Sequence, residues 1–172
     1  EESGPGPKVL IVDDDRTQAE ILSRVLELDG FRVSCAFDPH AALEMVRRDR
    51  PDGVVSDLKM PGMSGLDLFA EVQMLDNPPL FIIITAFGTL ETAVDAMRAG
   101  VDDFITKPID TGELTVKLDK ALRVRSLESE NTRLRQTVDA LRERVHIVGS
   151  SRPMQEILAT IEQVSRSQAT VL

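Results

Sequence analysis

Short apolar runs alternate with longer stretches whose apolar positions fall three and four apart, from residue 8 to about 109. The runs are Val9-Leu10-Ile11-Val12, Phe31-Arg32-Val33, Gly53-Val54-Val55, Leu80-Phe81-Ile82-Ile83-Ile84 and Asp103-Phe104-Ile105. Most are rich in Val, Ile or Phe and predict strands, three of them continuous enough for burial on both faces. Between them, Ala19, Leu22 and Leu26 mark one helix, and Ala42, Met45 and Val46 a second. Leu68, Val72 and Leu75 mark a third, and Ala93, Ala96 and Met97 a fourth. The punctuation agrees. Asp15 with Gln18, and Asp110 with Glu113, have capping-box spacing, and Asp38-Pro39 puts proline at a first helical position. Gly30 and Gly100 fall where helices should stop. Strict alternation of this kind predicts an α/β fold: a doubly wound, five-stranded parallel sheet with helices on both faces.

From Thr111 the helical pattern runs on to about Val145 without proline, and its spacing settles into a heptad. Leu127, Leu134 and Leu141 fall at d, while Val124, Asn131, Val138 and Val145 fall at a. Leu at d with Val at most a positions favours two strands, and a lone Asn at a costs stability but sets register and parallel pairing. Arg123 would face Glu128 of a second copy, and Glu130 would face Arg135, both attractive in a parallel homodimer. The plain alternative is one amphipathic helix lying on its own domain. After Gly149 the pattern changes: residues 153–164 predict a helix, and Ala169-Thr170-Val171-Leu172 the start of a strand. The expected organisation is a flexible tail at 1–7, a globular domain at 8–122, a coiled-coil linker helix at 123–146, and the start of a further domain at 147–172.

Composition narrows the function classes. A net charge of −9 argues against nonspecific nucleic-acid binding by these residues. With no Trp or Tyr and only scattered Phe, no stacking platform for single strands is visible. No transmembrane run or signal peptide is evident, so no membrane contact is expected. Cys35 stands alone, which excludes an internal disulfide and a CxxC metal site; it reads as a small buried core residue and fits a cytoplasmic setting. His40 and His146 are too far apart in the pattern to make a metal site and read as surface residues.

In a parallel α/β sheet, ligands bind at the carboxyl ends of the strands, so the residues that end the strands are the informative ones. The first strand ends in Asp13-Asp14-Asp15, the third in Asp57 and the fourth in Thr85, and Lys107 follows the fifth. Crowded carboxylates repel, and a divalent cation removes the difficulty. An all-oxygen site with few protein ligands suits Mg²⁺. Asp57 could then act as a nucleophile toward a phosphoryl group, with Lys107 neutralising the phosphoryl oxygens and Thr85 donating a hydroxyl hydrogen bond. Each residue alone has a plain reading as a cap, turn or surface group. At strand ends, in this order, the set is specific.

Val9-Leu-Ile-Val-Asp-Asp-Asp15, Asp57-Leu-Lys-Met-Pro-Gly-Met-Ser-Gly65, Thr85-Ala86 and Asp103-Phe-Ile-Thr-Lys-Pro108 closely resemble the receiver domain of two-component response regulators, a flavodoxin-like fold, over residues 8 to about 122. The resemblance implies that Asp57 accepts a phosphoryl group from a sensor histidine kinase. It implies that Asp13 and Asp14 are the acidic metal pair and that Lys59 offers its backbone carbonyl to the metal. It also implies that Thr85 and Phe104 form a switch pair, that Lys107 contacts the phosphoryl group, and that Lys107–Pro108 is a cis peptide. Phe104 lacks the hydroxyl of the tyrosine common in relatives.

Residues Gly88 to Gly100 with the long helix after them, and Ile147-Val-Gly-Ser-Ser-Arg-Pro-Met154, resemble the nitrogen-regulatory-protein-C-like activators of sigma-54 RNA polymerase and the entry to their AAA+ ATPase domain. No GxxxxGK[ST] loop and no helix-turn-helix occurs in the chain, so neither ATP nor DNA is assigned to these residues. The resemblance implies DNA and sigma-54 RNA polymerase as partners of a longer protein. Two rivals remain. A metal-dependent phosphatase with an Asp nucleophile would place a carboxylate two residues on, where this chain has Lys59. A silent dimerisation module would not need the complete strand-end set.

Overall fold

The computed structural model describes residues 6–86, 98–144 and 157. Its elements are β1 (Lys8–Val12), α1 (Arg16–Leu28), β2 (Arg32–Ala36), α2 (Pro39–Asp49), β3 (Gly53–Asp57), α3 (Gly65–Gln73), β4 (Leu80–Thr85), β5 (Asp103–Thr106) and α4 (Thr111–Arg144). The strands pair in the order β2-β1-β3-β4-β5, and every pairing is parallel. The sheet is therefore the doubly wound one that the alternation predicts, with all strand C-termini on one edge.

Successive strand residues point to opposite faces, so each central strand serves two cores. Leu10, Val12, Val54, Phe81 and Ile83 pack with Ala42 and Val46 of α2 and with Leu68, Phe69 and Val72 of α3. Val9, Ile11, Val55, Ile82 and Ile84 pack with Ala19, Leu22 and Leu26 of α1 and with Leu114 and Leu118 of α4. β3 and β4 are buried at every position, as their unbroken apolar runs require, while β2 and β5 at the two edges are only partly covered. Phe69 and Phe81 meet edge-on, 5.2 Å between centroids. Each fully buried Ile, Leu or Phe contributes roughly 1.5–3 kcal/mol, so the central strands hold most of the stability.

Local differences have local causes. β2 runs from Arg32 to Ala36 and not from Phe31 to Val33. Phe31 instead plugs the end of α1, its amide donating to the Leu26 carbonyl at 3.0 Å. Polar Ser34 and half-buried Cys35 continue the strand because an edge strand tolerates them. Cys35 is thus not a fully buried core residue; its thiol reaches the Ala19 carbonyl at 3.8 Å. α3 stops at Gln73, short of Leu75, ahead of the Pro78-Pro79 pair that no helix could carry. Asp15 caps α1 through the amides of Thr17 and Gln18, but Gln18 does not close the box. The Asp15 amide is taken by Asp13 Oδ1 at 2.9 Å, and Gln18 Nε2 is buried without a partner. The reciprocal box lies elsewhere, between Ser64 and Asp67 at the start of α3. The fourth predicted helix, at Ala93, Ala96 and Met97, lies outside the described residues.

The chain divides into two compact units, one ending at Glu128 and one starting at Ser129. In the first, Leu114 and Leu118 of α4 are fully buried, Ala121 and Leu122 pack against the same core, and Arg125 donates to the Pro78 carbonyl. Val124 and Leu127, on the far side of that helix, are exposed. In the second unit, residues 129–140 of α4 are exposed all round, Asn131, Leu134 and Val138 among them. The side chain of Leu141, and the expectations for Val145, His146 and residues 147–172 apart from exposed Ile157, lie outside the described residues.

Candidate metal centre

β1 delivers its last residue, Val12, into the core, and the chain then turns through Asp13, Asp14 and Asp15. The Asp13 amide still belongs to the sheet, donating to the Ala36 carbonyl at 3.2 Å, so Asp13 is held at the strand end and is 1 % exposed. Asp14 is exposed. Asp57 is the last residue of β3 and Thr85 the last of β4, and both are buried. Lys107 follows β5 and is tied to β4 through its amide, which donates to the Thr85 carbonyl at 2.8 Å.

One carboxylate oxygen from each of Asp13, Asp14 and Asp57 can be chosen so that all three lie within 4.8 Å of one another. The Lys107 ammonium donates to Asp57 Oδ2 at 2.6 Å, and the Lys59 amide donates to Asp57 Oδ1 at 3.2 Å. Asp13 Oδ1 accepts from the Asp15 amide, which leaves Asp13 Oδ2 buried and without a hydrogen-bond partner. Burial raises the Asp13 pKa above the ordinary aspartate value. The Asp15 amide and the charge of Lys107 oppose that rise; the charges of Asp57 and Asp14 add to it. A buried carboxylate oxygen that no donor satisfies is costly as it stands. Three carboxylates with one ammonium fit a hard divalent cation, which takes oxygen ligands and would satisfy the unpartnered Asp13 oxygen.

The strand-end residues singled out from sequence thus come together: Asp13, Asp14, Asp57 and Lys107 by direct distance, Thr85 by its place at the end of β4. Lys59 is at the site through its amide. Phe104, half-buried in β5, sits beside Ile83 in the ladder, two residues before the Thr106 that pairs with Thr85. The Lys107–Pro108 peptide is cis.

Two features at the site went unassigned in the sequence. Gly65 opens α3 against the end of β3: its amide donates to the Leu58 carbonyl at 2.9 Å, and a Cβ there would stand 2.4 Å from the Asp57 carbonyl oxygen. Ser56, fully buried, donates to that same carbonyl at 3.0 Å. The Ser64-x-x-Asp67 spacing was the available signal for the first; nothing in the sequence marks the second.

Comparison with known proteins gives a consistent answer. Residues 9–119 match the family model described as the response regulator receiver domain. The regulatory protein AtoC of Escherichia coli K12 is 33% identical over 165 residues, covering 96% of this chain and 36% of that protein. The C4-dicarboxylate transport transcriptional regulatory protein DctD of Rhizobium meliloti is 34% identical over 166 residues, with the same coverage of 96% and 36%. The chain therefore spans about a third of the length of these relatives. Among solved structures, NtrX from Brucella abortus superposes with a TM-score of 0.70 at 29% identity, covering 94% of this chain and 35% of that one. A response regulator receiver domain protein from Clostridium thermocellum superposes with a TM-score of 0.67 at 29% identity, covering 70% and 98%.

Proposed function

This chain belongs to the response regulator receiver family, and from that membership we propose that it is a phosphorylation switch with Asp57 as its acceptor. A carboxylate oxygen of Asp57 attacks the phosphorus of a phosphohistidine on a sensor histidine kinase. The N–P bond breaks, its electron pair returns to the imidazole, and Asp57 becomes an acyl phosphate. Asp13, Asp14, Asp57 and the Lys59 carbonyl would hold Mg²⁺, whose contribution when bound is to draw negative charge off the transferring phosphoryl oxygens. Lys107 holds Asp57 in place beforehand and pairs with a phosphoryl oxygen afterwards. Thr85 offers its hydroxyl to the same group, and the Phe104 ring follows Thr85 inward. Three acidic oxygens within 4.8 Å, with the Lys107 ammonium 2.6 Å from Asp57, carry this proposal.

The output lies in assembly and in sequence beyond the receiver. We take residues 8–122 as the receiver, 123–146 as the linker and 147–172 as the start of an AAA+ ATPase domain, in a longer sigma-54 activator that would engage DNA and RNA polymerase. The linker would pair with that of a second copy through Val124, Leu127, Asn131, Leu134, Val138 and Leu141. Exposure of Val124, Leu127, Leu134 and Val138 in the single chain supports this. A cytoplasmic setting goes with the kinase partner; no helix among the described residues is long and apolar enough to cross a membrane.

The test is incubation with a small phosphodonor and Mg²⁺, followed by intact mass and sedimentation. A phospho-adduct that needs Mg²⁺, is lost in Asp57→Ala and changes the assembly is expected. No adduct with either donor or kinase would refute the acceptor role. Fast multiple turnover of a free phosphoester would restore the phosphatase rival, which Lys59 at the second position after Asp57 disfavours.

A further inference from the structure

β5 closes one side of the sheet, so a strand is available to only one of its edges. At Phe104 side chains take up the backbone groups instead. Its amide donates to Asp103 Oδ1 at 2.8 Å, and its carbonyl accepts from Lys117 Nζ at 3.0 Å. The same ammonium donates to Asp103 Oδ1 at 3.0 Å, lies 3.2 Å from Glu113 Oε1, and stands 5.7 Å from the centre of the Phe104 ring. Three acceptors match the three donors of a lysine, and the ring lies within reach of a cation–π contact. Partial burial works against the Lys117 charge, but its bonds to Asp103 and Glu113 outweigh that and hold its pKa above the ordinary lysine value. A lysine free to be hydrated is here drawn in until its side chain is 28% exposed.

We infer that Lys117 is a latch on Phe104, a positioning residue whose ammonium fixes the half-buried rotamer of the ring. The inference rests on the proposal above only where Phe104 is taken as the switch aromatic. Asp103 takes the amide of Phe104 and Lys117 its carbonyl, and the charge over the ring makes one rotamer better than the others. A ring that turns away loses the contact with the Lys117 charge, while the ammonium keeps its bonds to Asp103, Glu113 and the Phe104 carbonyl. The cation–ring contact is thus present in one ring position and absent in the other, which is the differential contact that a two-state switch needs.

The experiment uses the full chain with labelled phenylalanine and reads the Phe104 χ1 populations from three-bond couplings of ring Cγ to the backbone. One rotamer should dominate in the wild type. Lys117→Met keeps the stem and removes the charge, and should shift the rotamer ratio roughly two- to five-fold, the size of a partly exposed cation–π contact. Lys117→Arg should restore the wild-type ratio. Glu113→Gln, which removes an ion pair but leaves the ammonium over the ring, should leave the ratio unchanged. A Lys117→Met protein with wild-type populations, or a Glu113→Gln protein that shifts as far, overturns the latch. If Lys117→Met does not fold, Lys117→Gln is read the same way. Adding beryllofluoride with Mg²⁺ to the wild type separates the two claims: a ring that ignores it while responding to Lys117→Met refutes the switch role and leaves the latch standing.

Discussion

Replacing Gly65 with alanine should damage phosphoryl transfer far more than it damages the fold. The added Cβ would stand 2.4 Å from the Asp57 carbonyl oxygen, and 3.1 Å from both Leu58 Cα and Ile83 Cδ1. The Ile83 methyl can swing aside. The two backbone neighbours cannot, and relieving the carbonyl contact needs a displacement of about 1 Å, the size of misplacement that matters at a reacting centre. Two bodies could move. α3 is held by the Ser64–Asp67 box, by the bond from the Gly65 amide to Leu58, and by Leu68, Phe69 and Val72 in the core. The end of β3 is held by its ladder to β4 and by the Leu58 amide on the Ile84 carbonyl at 2.8 Å. Overpacking of this kind costs about 1–3 kcal/mol, and the better helix propensity of alanine returns less than 1 kcal/mol of it. The protein should stay folded at room temperature, with a melting temperature lower by about 5 °C. Displacing the acceptor by about 1 Å should slow phosphorylation by about 100-fold. The assay is the initial rate of adduct formation with a small phosphodonor at saturating Mg²⁺, beside thermal unfolding followed by circular dichroism. A Gly65→Ala protein that is phosphorylated within two-fold of wild type, or one whose rate falls only as far as its folded fraction, would refute the reasoning.

Asp13→Asn should move two quantities in opposite directions. Mg²⁺ affinity by calorimetry should fall roughly ten-fold or more with the loss of a ligand, while metal-free stability at neutral pH should rise. The sign follows because burial raises the folded pKa of Asp13, so its ionised form costs stability above that pKa, and the amide removes the charge. A lower metal-free melting temperature would mean that Asp13 is stabilising as a charge. Asn131→Val should tighten self-association in sedimentation equilibrium yet broaden the species beyond a dimer, and no change in association would remove the coiled coil.

The fold was legible because its two periodicities are strong where burial is strong. Val9 to Val12 and Leu80 to Ile84 are short unbroken apolar runs, as strands covered on both faces require, and Leu22 and Leu26 have the spacing of one helix face. Legibility fades where burial does. β2 was misplaced because Ser34 and Cys35 sit on a sheet edge that asks little of them, and Leu75 was drawn into α3 although the proline pair beyond it sets the limit. The acidic site was legible as a set of strand ends, since parallel topology alone brings Asp13, Asp57 and Lys107 to one edge. The bond from Asp15 to Asp13, the unsatisfied Asp13 oxygen and the close approach of Gly65 were not legible. Each depends on distances of a few ångströms between segments far apart in sequence, and periodicity says nothing about those. Lys117 was hidden for the opposite reason: a lysine on the outer side of a helix is ordinary, and only its neighbours make it otherwise.

The ion pair between Lys107 and Asp57 joins positions fifty residues apart, and β4 lies between the strands that carry them. During synthesis, then, Asp57 leaves the ribosome well before the lysine that holds it, and no stretch ending short of β5 contains the pair. A nascent or clipped chain that ends short of β5 carries Asp57 without the ammonium that pairs with its carboxylate.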